Sequence, residues 1–253
     1  QKQSLKIAIR IKDRQGEGRS LGNLGLAYYA LGDYLRAINY QQQNLKIARE
    51  IKSRQGEVRS LGNLGLAYYA LGDYLRAIKY QQQSLKIAQE IQSRQSEGIS
   101  LLYLGLAYYA LGDYTGAIKY QQQSLKIARE IQDRQGEGQS LNNLGYTLYK
   151  QGNLKLAEST LFESIKVQES LRNRGLKDIE KVSIADTQRN TYRILQKVLI
   201  TQNKADTALE IAERGRGRAF VELLTSKISP DTQLFSAPPT ITEIQQIAKT
   251  QNA

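Results

Sequence analysis

The chain has 253 residues, 40% hydrophobic and 24% charged, with 36 Lys and Arg against 24 Asp and Glu, a formal charge of +12 and a mean hydropathy of −0.51. That composition suits an extended core under a water-soluble surface, and the longest apolar runs, such as Leu24 to Leu31, fall far short of the roughly 20 residues a bilayer span needs. Cysteine and histidine are both absent, which excludes disulfides, Cys/His zinc sites, cysteine nucleophiles and histidine general bases together.

Gln1 to Arg14 matches Gln121 to Arg134 at ten of fourteen positions, including Ser4 to Ala8 and Arg14. Residues 1–13 therefore read as the second helix of an upstream repeat whose first half is left off. Residues 14–173 read as four repeats of forty. The stretch Ser20 to Tyr34 returns from Ser60 to Tyr74, from Ser100 to Tyr114 and, in worn form, from Ser140 to Leu154. A fixed period of this size marks stacked copies of one small element that cannot bury its own apolar face and leans on its neighbours. Gln15 to Arg54 and Gln55 to Arg94 differ only at Gly18/Val58, Asn39/Lys79, Asn44/Ser84, Arg49/Gln89 and Lys52/Gln92, the closeness expected of duplication.

Within each repeat Leu21, Leu24, Tyr28 and Leu31 recur at helical spacing, and Gly32-Asp33 breaks the helix. Tyr34, Ala37, Ile38, Leu45, Ala48 and Ile51 make a second stripe, so each repeat is expected to be an antiparallel pair of helices. Asp33 is placed to cap the second helix by accepting from the free amides of its first turn. Gly25 and Ala37 are expected where the two helices approach closely. Gly22 and Gly62, replaced by Leu102 and Asn142, read as a surface position free to drift, and the run Gln41-Gln42-Gln43 reads as a polar helix face.

In the fourth copy Asn153-Leu154 replaces Asp-Tyr and Leu161-Phe162 replaces part of the glutamine run, which predicts a more apolar second helix ended at Asn173-Arg174-Gly175. Residues 174–227 read as a divergent closing pair. Tyr192, Leu195, Leu199, the turn Gln202-Asn203 and Ala208 keep the intervals of Leu21, Leu24, Tyr28, Gly32 and Ala37, and a stripe through Ile184, Thr191, Leu195 and Leu199 can close the array. Residues 228–253 hold all three prolines, Pro230, Pro238 and Pro239, and then Ile241, Ile244, Ile247 and Ala248 at amphipathic spacing. They read as a linker and the start of a further domain.

Three patterns invite a chemical reading. Gly215-Arg216-Gly217 has no preceding strand and no following Lys-Ser/Thr, so it is not a phosphate loop. Glu17 and Glu57 recur once per repeat, which suits packing or capping rather than acid/base work. Tyr28, Tyr29, Tyr34 and Tyr40 fit core and ledge positions better than a base-stacking platform. No catalytic set, metal site or cofactor site emerges. The excess of Lys and Arg raises a nucleic-acid or anionic-surface binder as an alternative. However, Lys46, Arg49, Lys52 and Arg54 are interleaved with glutamates such as Glu50, as on a solvated outer face.

The pattern Leu21-x2-Leu24-Gly25-x2-Tyr28 followed by Gly32-Asp33-Tyr34-x2-Ala37 resembles the tetratricopeptide repeat (TPR) family. Leu21 stands where the family has tryptophan, Gln41 replaces a late aromatic, and the closing proline gives way to six extra residues within Ala48 to Glu57, worth roughly 9 Å of added helix. The forty-residue form is similar to the repeats of LGN/Pins-type spindle-orientation adaptors and kinesin light chains. The resemblance implies an all-α, right-handed superhelical solenoid of antiparallel helix pairs that is not an enzyme, works in the cytoplasm and binds a protein or peptide in a concave groove lined by the first helices. The groove positions map to Arg19, Asn23, Leu26, Tyr29 and Ala30 and to Arg59, Asn63, Leu66, Tyr69 and Ala70. The third copy breaks the series with Ile99 and Tyr103, beside Tyr109, and Gln139 and Asn143, beside Tyr149, partly restore it in the fourth. The family uses the asparagine to hold an extended ligand backbone. The arginines add a preference for acidic residues, unless they pair with Glu17 or Glu57 instead, and the middle of the groove suits a hydrophobic anchor. Ala208 to Leu224 and Thr240 to Ala248 resemble the passage from a TPR array into a caspase-like CHAT domain of bacterial, cyanobacterial-type proteins. The active members of that domain need a His/Cys dyad that this chain lacks. The implied state is a monomer, with weak self-association through the N-terminal edge or a purely architectural self-associating array as alternatives.

Overall fold

The structure is a computed structural model that describes residues 1–172, 178–215, 242 and 246, with side chains over 1–171, 187–215, 242 and 246. Among the described residues it is all-helical. The helices are α1 (Lys2–Arg10), α2 (Arg14–Ala30), α3 (Tyr34–Glu50), α4 (Arg54–Ala70), α5 (Tyr74–Glu90), α6 (Arg94–Ala110), α7 (Tyr114–Glu130), α8 (Arg134–Gln151), α9 (Leu154–Arg172) and α10 (Asp178–Thr201). A further helical stretch runs over 205–215. The chain divides into two compact units, Gln1–Ser140 and Leu141–Ala253.

Local chemistry sets most boundaries in the first unit, although α1 and α6 start without a side-chain cap. α2 to α7 are each 17 residues long, about 25 Å, and three-residue turns separate them. Asp33 and Asp73 accept from the amides of Arg36 and Arg76 at 3.0 Å, as the sequence leads one to expect. Asp13 and Ser53 cap the first helices through Gly16 at 2.9 Å and Gly56 at 3.2 Å. At the other end the amides of Gly32 and Asp33 return to the carbonyls of Tyr29 and Tyr28, each at 2.9 Å, and Gly32 takes a left-handed φ of 77°. This is a Schellman closure, in which glycine carries no steric penalty. The turn between repeats closes in the same way at Lys52, whose φ of 55° is left-handed without the benefit of glycine and costs of order 1 kcal/mol.

The pairs stack in order within this unit: α2 on α3, α3 on α4, α4 on α5, α5 on α6 and α6 on α7. First helices also touch across pairs, α2 with α4 and α4 with α6. The core follows the expected stripes, with Leu21, Leu24, Leu61, Leu64, Leu101 and Leu104 buried against Ala37, Ala77, Ala117 and Ala48. Two stripe positions stand outside it, however: Leu31 is 78% exposed just past the end of α2, and Ile51 is 40% exposed at the end of its helix, while Ile47 is buried at 3%.

Two expectations are corrected. Gln41 and Gln81 are 1% exposed rather than part of a polar face, and each donates its Nε2 to a first-helix carbonyl, Gly22 or Gly62, at 3.0 Å. Their place opposite Gly25 and Gly65 explains those glycines, because a Cβ on Gly65 would lie 2.6 Å from Gln81 Nε2 and 2.8 Å from its Cγ. Gly22 is not on a freely drifting surface either. A Cβ there would lie 2.8 Å from Asn44 Nδ2, and Leu102 and Asn142 at the same position are buried. The position faces the second helix, so what replaces it depends on the residue opposite.

The glutamates serve packing, as expected. Glu57 is 7% exposed and lies 3.2 Å from Arg54 and 3.6 Å from Arg49 of the preceding pair. Glu137, 4% exposed, takes Arg134 at 2.5 Å and Arg129 at 3.0 Å. Arg14, Arg54 and Arg94 each also pair with the last residue of the second helix of their own repeat, Glu50, Glu90 and Glu130.

In the second unit Leu161 and Ile165 are buried, and Leu161 occupies the space over Gly145 that glutamine fills elsewhere. α9 packs on α10. Tyr192, Leu195, Leu199 and Ala208 are buried, and the turn at Asn203 is left-handed with φ 59°. Thr191 lies 2.9 Å from Asn142 Oδ1 and accepts from Gln168 Nε2 at 3.1 Å. Glu169 accepts from Tyr192 Oη at 2.7 Å and Arg214 Nη2 at 2.6 Å. The ending at Asn173-Arg174-Gly175, the Ile184 side chain, Gly217, the three prolines and nearly all of the stretch from Thr240 to Ala248 lie outside the described residues.

Candidate functional site

The candidate surface is the face of α2, α4 and α6 turned away from their partner helices, and helical geometry assembles it. Positions 19, 23, 26 and 30 lie three or four apart and share one face, whereas Leu21 and Leu24 point into the core. Contact between successive first helices makes the stripe continuous from pair to pair within the first unit.

Arg19, Asn23 and Ala30 are exposed, Leu26 is 47% exposed and Tyr29 is half-buried. On α4, Arg59 is exposed while Asn63, Leu66, Tyr69 and Ala70 are half-buried. On α6, Ile99 is 49% exposed, with Tyr103 and Tyr109 half-buried. Gln139 is exposed in the first unit, and Asn143 and Tyr149 are half-buried in the second.

The glutamates that could pair with Arg19 and Arg59 are occupied elsewhere. Glu17 pairs with Arg14 at 2.5 Å, and Glu57 pairs with Arg54 and Arg49. Among the described residues no carboxylate lies within ion-pair distance of Arg19 or Arg59, and the side-chain amides of Asn23 and Asn63 make no hydrogen bond. Two guanidinium groups and two carboxamides are thus exposed or half-exposed with their donors and acceptors unused, a costly arrangement only where water cannot reach them.

A tyrosine cluster adjoins them. Burial pushes the Tyr103 phenol above its ordinary value, and the Tyr29 phenol, two repeats away in sequence, adds to the shift. Burial does the same to Tyr69, with Tyr74 and then Tyr29 adding. Tyr29, Tyr69 and Tyr103 therefore gather on the first-helix face, with Tyr34 and Tyr74 tilted against Tyr29 and Tyr69 at centroid distances of 5.4 Å. Spacing alone did not reveal this convergence, because it depends on how closely α2, α4 and α6 are stacked. The other tyrosines behave as ledge residues. Tyr28 stacks on Tyr40, and Tyr68 on Tyr80, at 5.3 Å, with Arg36 and Arg76 over the rings.

Such a face can clamp carboxylates through its arginines, bond a ligand backbone through its carboxamides, and seat apolar side chains on Leu26, Ile99 and the tyrosines. Comparison with known proteins agrees with the repeat reading. The tetratricopeptide repeat pattern matches residues 16–90 and 96–170. Tetratricopeptide repeat protein 28 of Mus musculus is 40% identical over 73 residues, 28% of this chain and only 3% of that protein's length. Among solved structures, BtubC (BKLC) from P. vanneervenii superposes with a TM-score of 0.76 over 93% of each chain at 16% identity. A kinesin-light-chain-type protein of nearly identical TPR-like repeats from Podosopora anserina gives 0.63 over 83% of this chain and 97% of its own, at 19% identity. At such identities the superpositions speak to the fold alone.

Proposed function

We propose that this chain, which belongs to the tetratricopeptide repeat family, is a protein-interaction scaffold that holds an extended peptide across the first-helix face of its N-terminal unit. The observation that carries this reading is the pairing of unpartnered Arg19 and Arg59 with unpartnered Asn23 and Asn63 on touching helices, beside exposed Leu26 and Ile99. The ligand that fits is an acidic segment followed by a hydrophobic anchor, its backbone held by the asparagines. Binding rather than catalysis is the role, in keeping with a chain that has no histidine or cysteine.

The sequence from Ala208 to Leu224 and from Thr240 to Ala248 supports a wider role as the cytoplasmic adaptor region of a larger protein that carries a caspase-like CHAT domain. Among the described residues no helix is long and apolar enough to cross a membrane. The rival nucleic-acid reading loses weight because many of the arginines it needs, among them Arg14, Arg54, Arg94 and Arg134, are already paired with glutamates.

The test is to select peptides by display against the intact chain and titrate the tightest with wild type and with Asn23→Ala/Asn63→Ala. Two lost hydrogen bonds of about 0.5–1.5 kcal/mol each weaken binding by roughly five- to a hundredfold, with the melting temperature unchanged. Undiminished affinity in the double variant refutes the assignment of the asparagines to the ligand.

A further inference from the structure

The turns that join first to second helices carry apolar side chains for which the fold has no use. Leu31 is 78% exposed, Leu35 72%, Leu75 71%, Leu71 43% and Leu111 46%. They recur at the forty-residue period, Leu31, Leu71 and Leu111 at the end of α2, α4 and α6, and Leu35 and Leu75 in the first turn of α3 and α5, with Thr115 at the third such position. Single exposed leucines are ordinary on protein surfaces, but a row of them along one edge of one unit is not.

We propose that this leucine edge is a self-association surface, on which a second copy of the chain docks in antiparallel register about a two-fold axis near Leu71 and Leu75. Three observations select a second copy as the occupant. A partner must present apolar groups at the repeat spacing, and another copy does so by construction, because the row is generated by the repeat itself. Turning one edge end for end sets Leu31 and Leu35 against Leu111 of the partner and sets Leu71 and Leu75 against themselves. All five leucines are then covered, as an isologous contact requires.

The charge on this edge is also nearly balanced although the chain carries +12, Asp113 alone of its three turn aspartates having glycine rather than arginine three residues on. Arg36 pairs with Asp33 and Arg76 with Asp73, and each guanidinium lies over a tyrosine ring of its own repeat, at 4.8 and 4.6 Å. Like edges therefore meet with a single unpaired carboxylate each, Asp113, which caps the Gly116 amide at 2.8 Å, whereas an anionic partner finds no net positive charge to attract it. In extent, five leucines supply an apolar centre smaller than the roughly 800 Å² per partner of a stable complex, so the turn residues around them must complete the rim and the dimer is a weak one. The proposal stands apart from the peptide-binding face, which lies on other residues of the first helices.

Sedimentation velocity on the intact chain should show a monomer–dimer equilibrium. In Leu35→Lys/Leu75→Lys the dissociation constant should rise by roughly a hundredfold or beyond measurement. Both side chains are more than 70% exposed, so the melting temperature stays put. Because the chain has no cysteine, Leu75→Cys alone should oxidise rapidly to a disulfide-linked dimer at the two-fold axis, while Leu35→Cys alone should not. Equimolar Leu35→Cys and Thr115→Cys should link to each other. A chain that stays monomeric to about 100 μM, a dimer unaffected by the two lysines, or a faster cross-link in Leu35→Cys than in Leu75→Cys would each overturn the proposal.

Discussion

Replacing Gly65 by alanine tests the reasoning about the interior of the array, because two well-known effects oppose each other there. In a solvated helix the change stabilises by about 1 kcal/mol through backbone propensity. Here the new Cβ would lie 2.6 Å from Gln81 Nε2 and 2.8 Å from both Cδ and Cγ. Gln81 is 1% exposed and cannot swing into solvent, and moving it breaks its 3.0 Å bond to the Gly62 carbonyl. Overpacking of this kind costs about 1–3 kcal/mol, and an orphaned buried amide costs about as much again. The net expectation is a loss of about 1–5 kcal/mol, or a melting temperature lower by roughly 2 °C or more. Circular dichroism melts of Gly65→Ala, Gln81→Ala and the double variant complete a cycle. The alanine at 65 should be far better tolerated once Gln81 is shortened, giving a coupling above about 1 kcal/mol. If Gly65→Ala is neutral or stabilising on its own, propensity has won and the close-approach explanation is wrong.

The Asp73 carboxyl sits below its ordinary value, first because it accepts the Arg76 amide and then because of the Arg76 side chain. A depressed folded-state value means that its stabilising effect is complete above the unfolded value, near pH 4, and is lost as pH falls through the lower folded one. Melting temperatures of wild type and Asp73→Asn should therefore differ at pH 6 and converge towards pH 2, and a gap that persists into acid would contradict the assignment. Tyr192→Phe removes the 2.7 Å bond to Glu169 and should cost about 1 kcal/mol in chemical denaturation, whereas an unchanged midpoint would show that the remaining partners of that carboxylate satisfy it.

Much of this arrangement is legible in the sequence, and what is not has a physical cause. The caps at Asp33 and Asp73, the breaks at Gly32 and Gly72 and the leucine stripes follow from rules that involve neighbours in sequence, and they stand where the period puts them. Gln41 was misread because a glutamine inside a run of three looks solvated. Only the absence of a Cβ on Gly25, sixteen residues away in sequence, makes room for a buried carboxamide. Gly22 reads as surface because its environment is set by Asn44 on the facing helix, and Leu102 and Asn142 show the same position turned inward in later repeats. The left-handed turn at Lys52 carries no glycine or asparagine to announce it. On the candidate face the residue types were readable, but two facts were not: that the carboxylates near Arg19 and Arg59 are engaged elsewhere, and that Tyr29 and Tyr103 converge across α4. Both depend on the stacking of one pair on the next.

The most direct test of the account is nuclear magnetic resonance of the intact chain titrated with a display-selected peptide, with the side-chain amide resonances of Asn23 and Asn63 assigned through their alanine variants. The account predicts that these two resonances, with the Nε–H signals of Arg19 and Arg59, shift first and saturate together with binding. Binding that leaves all four unmoved, and instead shifts residues on the outward side of α3 and α5 around Gln42, Lys46, Gln82 and Lys86, would contradict it.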